Sequence, residues 1–388
     1  MTVCRDAFAN QCALFQGLLG VLSVRNGSTE QTYDIKTPYK LHGLDEGPST
    51  KATLSHDDAL KMYREMTAIR RLETATSNLY KEKLIRGFCH LYSGQEAVAV
   101  GIFNTIKPED GIITSYRAHG WTYLRSMSAS CVMAELTGKS VGCSQGKGGS
   151  MHMFGDNFFG GNGIVGAQTS IGTGVAFAHK YLGTNNLCVA LYGDGAANNG
   201  QVFESFNLSK LWDIPVLYVV ENNLYGLGTS AERSSASTEY YKRGDYVPGI
   251  WMDAMDVLGV REVMRFACDY CRSGKGPIIV ECVTYRYFGH SMSDPGTSYR
   301  TRDEIQEVRK TRDPITGFKE LITTSGLVSA DELKKIDGDV KKEMDAAAKV
   351  AKTGPAVELP SLYTHVYSTI LPGMMIRGPD AYTYGSPK

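Results

Sequence analysis

The second half of the chain alternates between helical patterns and short apolar runs, and this alternation limits the folds that the chain can adopt. Three runs have the length and the β-branched content of buried strands: "LCVALYG", "PVLYVVEN" and "PIIVECVTYRY". Between them lie two segments whose apolar residues repeat with helical spacing, "QVFESFNLSKLW" and "VREVMRFACDYCRSG". Strands and helices that alternate in this way predict an α/β fold with a parallel sheet flanked by helices.

Two further patterns set the limits of this domain. A long amphipathic run begins after Ser55, which can cap a helix in a capping box with Asp58 three residues later. The charged segment "SADELKKIDGDVKKEMDAAAKVAKTG" predicts a final, solvated helix. We therefore expect a leader over residues 1–33 and a single α/β domain with helical additions at both ends over residues 34–388.

The leader has features of a targeting segment. It carries an apolar stretch of about a dozen residues between Arg5 and Arg25, with Asp6 the single acid between these two arginines. This pattern favours a short organelle transit peptide. A secretory signal and an ordinary surface segment stay open as alternatives.

The composition argues against several classes of protein. The 388 residues include 41 basic and 41 acidic side chains, and this zero net charge argues against a nucleic-acid binder. No apolar run reaches the roughly 18 residues that a membrane span needs. Nine cysteines without a framework spacing indicate a reducing compartment. The one C-x-x-C pair, Cys268 and Cys271, is predicted to pack in the core rather than bind zinc.

The segment "FFGGNGIVGAQ" contains a G-x-G-x-x-G pattern at Gly161, Gly163 and Gly166. In a dinucleotide-binding fold this pattern follows a strand and opens a helix. The preceding stretch, "GGSMHMFGDN", is rich in glycine and polar residues, so we do not predict a strand there. We therefore expect these glycines to allow a sharp turn or a close approach to a ligand rather than to bind NAD.

Polar side chains follow each of the three predicted strands. Asp194 lies in "GDGAANNG", Asn223 in "ENNLYGLGTS" and His290 in "FGHSMSDPGTSYR". The carboxyl ends of parallel strands meet at one edge of a sheet, where ligands bind. Asp194, Asn223 and the backbone carbonyl of Tyr225 would offer the oxygen ligands that Mg²⁺ prefers. Gly195 and the helix that starts near Gly200 would let a diphosphate approach the backbone.

A specific resemblance adds to this interpretation. The pair "GDG" and "NN", separated by 26 residues, resembles the thiamine-diphosphate motif. Longer segments, among them "RGFCHLYSGQEAVAVG", "GDGAANNGQVFES" and "YRYFGHSMSDPGTSYRTRDEI", look like the alpha subunits of mitochondrial pyruvate dehydrogenases. The resemblance runs roughly from Asp34 to Arg377. It implies a thiamine-diphosphate-binding fold of the diphosphate-binding type, with thiamine diphosphate and Mg²⁺ as cofactors.

The resemblance also implies roles for particular residues. The matched cofactor-binding positions are Tyr116, Arg117, Gly163, Val165, Asp194, Gly195, Ala196, Asn223, Tyr225 and His290. Of these, Asp194, Asn223 and Tyr225 match the metal ligands, and Leu227 matches a bulky apolar residue under the bent cofactor. The matched substrate positions are His90, Tyr116 and Gly155, and the expected catalytic side chains are those of His290, His90 and Tyr116. Ser291, Ser298 and Ser230 match phosphorylation sites.

An activity and a set of partners follow from the same resemblance. The implied enzyme is an oxidoreductase that decarboxylates pyruvate and passes the acetyl group to a lipoyl arm. It would work in the mitochondrial matrix as a tetramer of two alpha and two beta chains, the beta chain supplying the glutamate beside the aminopyrimidine. The implied partners are the beta subunit, the lipoyl acyltransferase component, a regulatory kinase and a phosphatase, with no nucleic acid and no membrane insertion.

Some positions depart from the family, and other interpretations stay open. Phe288, Leu224, Ser93 and Asn199 replace a histidine, an arginine, an aspartate and a glutamine that are common in the family. The alternatives within the same chemistry are branched-chain 2-oxo acid and acetoin dehydrogenase alpha subunits. A non-catalytic regulatory subunit is the alternative from another class. "GGSMH" around Ser150 lacks the last glycine of a nucleophile elbow, which argues against a serine hydrolase.

Overall fold

A seven-stranded mixed sheet forms the centre of the protein, as seen in a computed structural model that describes residues 30–126, 128–379 and 383–386. The strands are β1 (Glu30–Asp34), β2 (Lys40–His42), β3 (Lys51–Ser55), β4 (Gly111–Ser115), β5 (Phe158–Asn162), β6 (Cys188–Gly193), β7 (Val216–Asn222), β8 (Tyr225–Gly226), β9 (Thr229–Ser230), β10 (Gly249–Asp253), β11 (Ile278–Val283), β12 (Ile376–Arg377) and β13 (Tyr384–Gly385). The helices are α1 (His56–Lys81), α2 (Glu96–Phe103), α3 (His119–Ser126), α4 (Ala129–Leu136), α5 (Ala167–Tyr181), α6 (Gly200–Leu211), α7 (Ala231–Ser234), α8 (Val257–Tyr270), α9 (Arg302–Arg312), α10 (Pro314–Thr324) and α11 (Ala330–Thr353).

The strand order of the central sheet is β2-β10-β11-β7-β6-β4-β5. All neighbours are parallel except β2, which pairs with β10 in the antiparallel sense at one edge. Both faces of the sheet are covered. Along β7, Leu217 and Val219 belong to one apolar core, while Val216, Tyr218 and Val220 belong to another. This arrangement confirms the predicted α/β fold, since side chains of a strand alternate between the two faces.

The two predicted terminal helices are present. Ser55 caps α1, and its hydroxyl accepts a hydrogen bond from the Asp58 N–H at 3.1 Å, as half of a capping box requires. Helix α11 is solvated on one face only. Its other face buries Leu333, Val340 and Met344 in contact with α1 and α4. The final helix is therefore part of the packed domain.

The glycine-rich segment differs from the sequence prediction. Residues 148–157 form no strand of the sheet, but β5 begins at Phe158, contains Gly161 and pairs with β4 in parallel. Helix α5 then begins after Gly166, whose φ of +89° suits glycine. The prediction of no strand over residues 148–157 is therefore confirmed, but strand β5 within the glycine segment itself was not predicted, because a glycine-rich edge strand is stabilised by its partner β4 rather than by its own propensity.

Other sequence predictions concern the chain ends and the core. Strand β1 pairs with β3, so the folded unit already includes Glu30, which is within the predicted leader. The rest of the leader, residues 1–29, lies outside the described residues.

Cys268 and Cys271 are buried in the main core, as predicted. In the described part of the chain, no helix is both long enough and apolar enough to cross a membrane.

Candidate cofactor and active site

A cavity of about 310 Å³ opens at the carboxyl edge of the sheet. It lies where β4, β6 and β7 end, as expected for an open parallel sheet. Its lining comprises Gln95, Ser115, Tyr116, Arg117, Val165, Gln168, Gly193, Asp194, Gly195, Ala196, Glu221, Asn223, Tyr225, Gly226, Leu227, Arg286 and His290. Most of the residues predicted to bind the cofactor therefore lie around one cavity.

Asp194 is the main anionic group of this cavity. The residue is buried, and its Oδ2 atom has no hydrogen-bond partner. Burial raises the pKa of the Asp194 carboxyl to about 6, although the positive charge of Arg286 opposes the shift. A buried carboxylate oxygen without a partner is costly unless a ligand satisfies it.

Two more oxygens suited to a metal lie near this carboxylate. One nitrogen of Arg286, Nη1, donates to Asn223 Oδ1 at 3.2 Å and to the Tyr225 carbonyl at 3.0 Å, so these two oxygens are held together. The Asn223 amide nitrogen donates a hydrogen bond to the side-chain oxygen of Gln95. This hydrogen bond fixes the orientation of the amide and leaves Asn223 Oδ1 facing the site. Among the described residues no cluster of three His, Cys, Asp or Glu side chains could hold a metal. The set of one carboxylate, one amide and one carbonyl oxygen nevertheless fits Mg²⁺, which uses oxygen ligands and shares them with phosphate.

Three aromatic rings from separate segments form the other end of the site. The Tyr116 ring centroid lies 4.5 Å from that of His90 and 5.4 Å from that of His290, and the two histidine rings are 5.1 Å apart. Burial, followed by the charge of Arg117, lowers the pKa of His90 to about 2 and that of His290 to about 3. Both imidazoles are therefore neutral near pH 7, and the Nδ1 atom of each has no hydrogen-bond partner.

Arg117 connects these rings to the rest of the site. Its guanidinium is buried and donates to the carbonyls of Leu91 at 2.6 Å and His290 at 2.9 Å. Burial, and then the charge of Arg286, lowers the pKa of Arg117 to about 10. Arg117 and Arg286 thus place two positive charges at the cavity, which suits an anionic ligand such as a diphosphate.

Comparison with known proteins decides the family. The family model described as "Dehydrogenase E1 component" matches residues 64–359. The chain belongs to the dehydrogenase E1 component family. It is similar to the probable mitochondrial pyruvate dehydrogenase E1 component subunit alpha of Caenorhabditis elegans, with 61% identity over 355 residues, which are 92% of this chain and 89% of the relative.

Two further relatives of this E1 chain carry similar names. The mitochondrial pyruvate dehydrogenase E1 component subunit alpha type II of Ascaris suum is 60% identical over 346 residues, covering 89% of this chain and 88% of that protein. The human somatic form of the mitochondrial alpha subunit is 53% identical over 362 residues, covering 93% and 92% of the two chains. The similarity therefore extends over almost the whole length of these alpha subunits.

Not every residue predicted for the E1 site lines the cavity. His90 is outside the lining, and its ring packs against those of Tyr116 and His290, which do line the cavity. Gly163 is two residues from Val165, which does line the cavity. Gly155 forms an isolated bridge with Phe158 and is outside the lining, so its assignment to the substrate site stays a prediction.

Among the lining residues of the E1 chain that the sequence analysis missed, four carry polar or charged side chains of interest: Gln95, Gln168, Glu221 and Arg286. Burial raises the pKa of Glu221 to about 7, and its carboxylate accepts a hydrogen bond from the Tyr92 hydroxyl. Glu221 is the penultimate residue of β7, and Arg286 follows β11 by three residues, so the strand-end argument would have found both. Gln95 and Gln168 come from helix starts and carried no such signal.

The positions that depart from the family have defined contacts. Asn199 caps α6 through Gln201 N–H and donates to the Val165 carbonyl at 3.0 Å, so it holds a residue that lines the cavity. Ser93 is buried, and its carbonyl accepts a hydrogen bond from Tyr287 N–H. Leu224 has a positive φ of 72° in the loop over residues 223–227, which is called the metal loop because it carries the predicted ligands Asn223 and Tyr225. The Phe288 carbonyl accepts a hydrogen bond from Arg300 at 2.7 Å.

The three predicted phosphorylation sites differ in exposure. Ser291 is only 5% exposed, and its hydroxyl lies 2.7 Å from that of Ser293. Ser298 is exposed and Ser230 is half-buried. The segment that carries Ser291 is held by Asp294, which accepts hydrogen bonds from His290 N–H and from the Tyr299 hydroxyl, both at 2.6 Å. A kinase that modified Ser291 would therefore need this segment to open.

Proposed function

We propose that the chain is the catalytic alpha subunit of a pyruvate dehydrogenase E1 component. In this proposal it binds thiamine diphosphate and Mg²⁺, takes part in the oxidative decarboxylation of pyruvate, and passes the acetyl group to the lipoyl group of the acyltransferase component. The observation that carries the proposal is the unpartnered carboxylate oxygen of Asp194, at the strand edge where Asn223 and Tyr225 add two neutral oxygens. The high similarity to pyruvate dehydrogenase alpha subunits supports the same substrate.

Each residue around the cavity has a binding role in this proposal. Asp194, Asn223 and the Tyr225 carbonyl would hold Mg²⁺. The backbone N–H groups at Gly195 and Ala196 would bind the diphosphate, because both residues line the cavity between β6 and α6. Val165, Gly163 and Leu227 would position the thiazolium and aminopyrimidine rings. When bound, thiamine diphosphate supplies a nucleophilic carbon and an electron sink for decarboxylation.

The ring cluster would bind and orient pyruvate. Tyr116 keeps its proton at pH 7, because burial raises the pKa of its hydroxyl, so this group can donate a hydrogen bond. His90 and His290 are neutral, and each keeps one N–H that can donate a hydrogen bond to a substrate oxygen. Arg117 is held against the His290 carbonyl and so fixes the backbone that carries this histidine. The protein would thereby orient the substrate and exclude water, as buried sites of this kind do.

An apolar surface beside the cavity supports a protein partner. Ile164 and Val165 are 71% and 49% exposed, and Val165 also lines the cavity. In the helix that follows, α5, the apolar side chains of Ile171, Phe177 and Tyr181 are also exposed, at 46%, 44% and 82%. Exposed apolar patches of this kind mark protein interfaces. We propose that a beta subunit covers it in a tetramer of two alpha and two beta chains and contributes the glutamate beside the aminopyrimidine.

The remaining partners and the location follow from the same assignment. We propose that the predicted leader acts as a mitochondrial transit peptide, up to the start of β1 at Glu30 rather than to residue 33, and that the enzyme works in the matrix. The relatives of this chain are mitochondrial forms, which supports this location. The lipoyl acyltransferase component would accept the acetyl group, and a kinase and a phosphatase would act on Ser291, Ser298 and Ser230.

The decisive experiment is coexpression of this chain with its beta subunit. The purified assembly should decarboxylate pyruvate only when thiamine diphosphate and Mg²⁺ are present. Its kcat/KM for pyruvate should exceed that for 3-methyl-2-oxobutanoate by at least about tenfold, since the extra methyl groups cost about 1–3 kcal/mol in a tight pocket. Equal values for the two acids, or turnover of acetoin alone, would reassign the substrate. Cofactor binding without any turnover would favour a regulatory subunit.

A further inference from the structure

Three buried polar side chains outside the cavity lining form a connected chain of hydrogen bonds. The Glu73 and His119 side chains are both 0% exposed, and His119 Nδ1 lies 2.9 Å from Glu73 Oε2. On the other side of the ring, His119 Nε2 lies 2.8 Å from Ser150 Oγ. Glu73 comes from α1, His119 from the start of α3 and Ser150 from the glycine-rich loop. The proposed function uses none of the three.

The direction of these hydrogen bonds can be assigned from their partners. Glu73 Oε1 accepts a hydrogen bond from Tyr92 N–H at 2.8 Å, and Ser150 Oγ accepts one from His90 N–H at 3.3 Å. A neutral His119 with its proton on Nδ1 donates to the Glu73 carboxylate and leaves Nε2 to accept from the Ser150 hydroxyl. With this assignment, every donor in the hydrogen-bond network of Glu73, His119 and Ser150 has an acceptor.

This network holds both ends of the segment that carries His90. Ser150 binds the backbone at His90, Glu73 binds it at Tyr92, and Arg117 donates to the Leu91 carbonyl between them. The loop that carries Ser150 is itself held in place. The buried carboxylate of Glu135 accepts hydrogen bonds from four backbone N–H groups that precede Ser150 in the sequence. These belong to Ser144, Gly146, Gly148 and Gly149.

We propose that Glu73, His119 and Ser150 are positioning residues that set the His90 ring against Tyr116 and His290 in the substrate pocket. The inference rests on the proposed function, since it assigns His90 to pyruvate. The same three side chains have the order of a Ser-His-acid triad. However, Ser150 Oγ is buried and bonded to His90 N–H, so it serves the backbone rather than a nucleophilic attack.

A double-mutant cycle on the assembled enzyme tests this role. Ser150→Ala should lower kcat/KM for pyruvate by between about 10-fold and about 100-fold, the usual cost of misplacing a substrate contact by about 1 Å. The affinity for thiamine diphosphate with Mg²⁺, measured by calorimetry, should stay within about twofold, because Ser150 lies outside the cofactor cavity. Ser150→Thr keeps the hydroxyl and should recover most of the activity.

The coupling with His90 distinguishes positioning from a general loss of structure. In a His90→Ala background, Ser150→Ala should change kcat/KM by less than about twofold, since the two residues act as one unit. A full additional loss in that background would overturn the proposal, as would an unchanged kcat/KM in either single variant. Pyruvate turnover by the parent enzyme tests the proposed function separately. If the parent enzyme did not turn over pyruvate, the proposed function would be contradicted. If the parent were active but the effects of the two substitutions were additive, only the positioning role of Glu73, His119 and Ser150 would be contradicted.

Discussion

Asp194 is buried and also has a carboxylate oxygen without a hydrogen-bond partner, and this combination lowers the stability of a folded protein. Such a group destabilises the fold of the chain without ligand by about 1–3 kcal/mol. A bound cation would offset this cost. The burial of Asp194 therefore supports the proposal that this residue binds a metal.

The first prediction concerns this carboxylate. Asp194→Asn removes the charge and keeps the shape, so thiamine diphosphate with Mg²⁺ should bind more than about 100-fold more weakly to the assembled enzyme. The melting temperature without ligand should not fall, because an unpartnered buried charge is removed. Asp303→Asn, at an exposed position in the first turn of α9, is the matched control. Calorimetry that gave equal affinities for Asp194→Asn and the parent would refute the metal assignment.

His90 gives the second prediction, on pH dependence. The folded protein holds the pKa of His90 at about 2, against an ordinary value of 6.5. Below pH 6.5 the unfolded chain therefore binds a proton at this residue that the folded chain does not bind, and stability falls as the pH is lowered. At pH 5.5 the cost is about 1.4 kcal/mol. The cationic groups Arg117 and Arg286 and the imidazoles of His290 and His119 face the ring, and each of them lowers the pKa of His90.

The measurement compares melting temperatures at pH 7.5 and pH 5.5. The decrease should be smaller in His90→Gln than in the parent, since the variant has no group to protonate at that site. His365→Gln serves as the control, because this histidine is exposed. A decrease of the same size in all three proteins would show that His90 is not held neutral by the fold.

At the scale of elements, the segment from His290 to Tyr299 links the two halves of the site. Arg286 donates to the Tyr299 hydroxyl at 2.9 Å, and Tyr299 donates to Asp294, which holds His290 N–H. The same arginine donates to the carbonyls of the metal loop. Opening this segment would therefore disturb both the metal loop and the ring cluster.

The third prediction follows from the burial of Ser291. A phosphate, or the carboxylate of Ser291→Glu, cannot stay in a site that is 5% exposed, next to a pocket for anionic ligands. Ser291→Glu should lower pyruvate turnover by at least about 100-fold and make the segment more sensitive to limited proteolysis. Ser298→Glu, at an exposed position, should have a smaller effect. Full turnover in Ser291→Glu would rule out this form of control.

The fourth prediction concerns the start of α5. Gly166 has a φ of +89°, and an added Cβ would lie 3.0 Å from Asn199, the residue that holds the Val165 carbonyl. Gly166→Ala should destabilise the protein by about 1 kcal/mol or more and weaken cofactor binding. Gly174→Ala in the same helix meets no atom within 4 Å and should stabilise the protein by about 0.5–1 kcal/mol. Denaturant unfolding measures the free energy of unfolding of each variant. A change of the same sign in both variants would contradict the role assigned to the positive φ of Gly166.

For the whole molecule, the important feature is that the cavity lies beside an exposed apolar surface along α5. Ile164 and Tyr181 at its two ends are 71% and 82% exposed. The fifth prediction is that the purified chain alone has negligible pyruvate decarboxylase activity, because the proposed beta subunit covers this surface and completes the site. Adding the beta subunit by coexpression should restore turnover. Normal rates with the isolated chain in thiamine diphosphate and Mg²⁺ would contradict the half-site assignment.

Much of the fold could be predicted from the sequence. In these parts of the chain, the local pattern of apolar residues matches the residues that the structure buries. The strands β6, β7 and β11 are short apolar runs between helical patterns, and the polar residues after β6 and β7 could be placed at one edge by the rule for parallel sheets. Strand β5 could not be predicted. Its glycines give no strand signal, and it exists because β4 offers a parallel partner.

The amino-acid sequence by itself determined the α/β class with a parallel sheet, the strand-end cluster of Asp194, Asn223 and His290, and the resemblance that gave the family. Each of these depends on residue type and on spacing along the chain. Only the tertiary structure decided that Arg286 holds two of the metal-loop oxygens and that Glu73, His119 and Ser150 support His90. These contacts join residues far apart in the sequence, and they form because packing leaves buried polar groups with no water to bind.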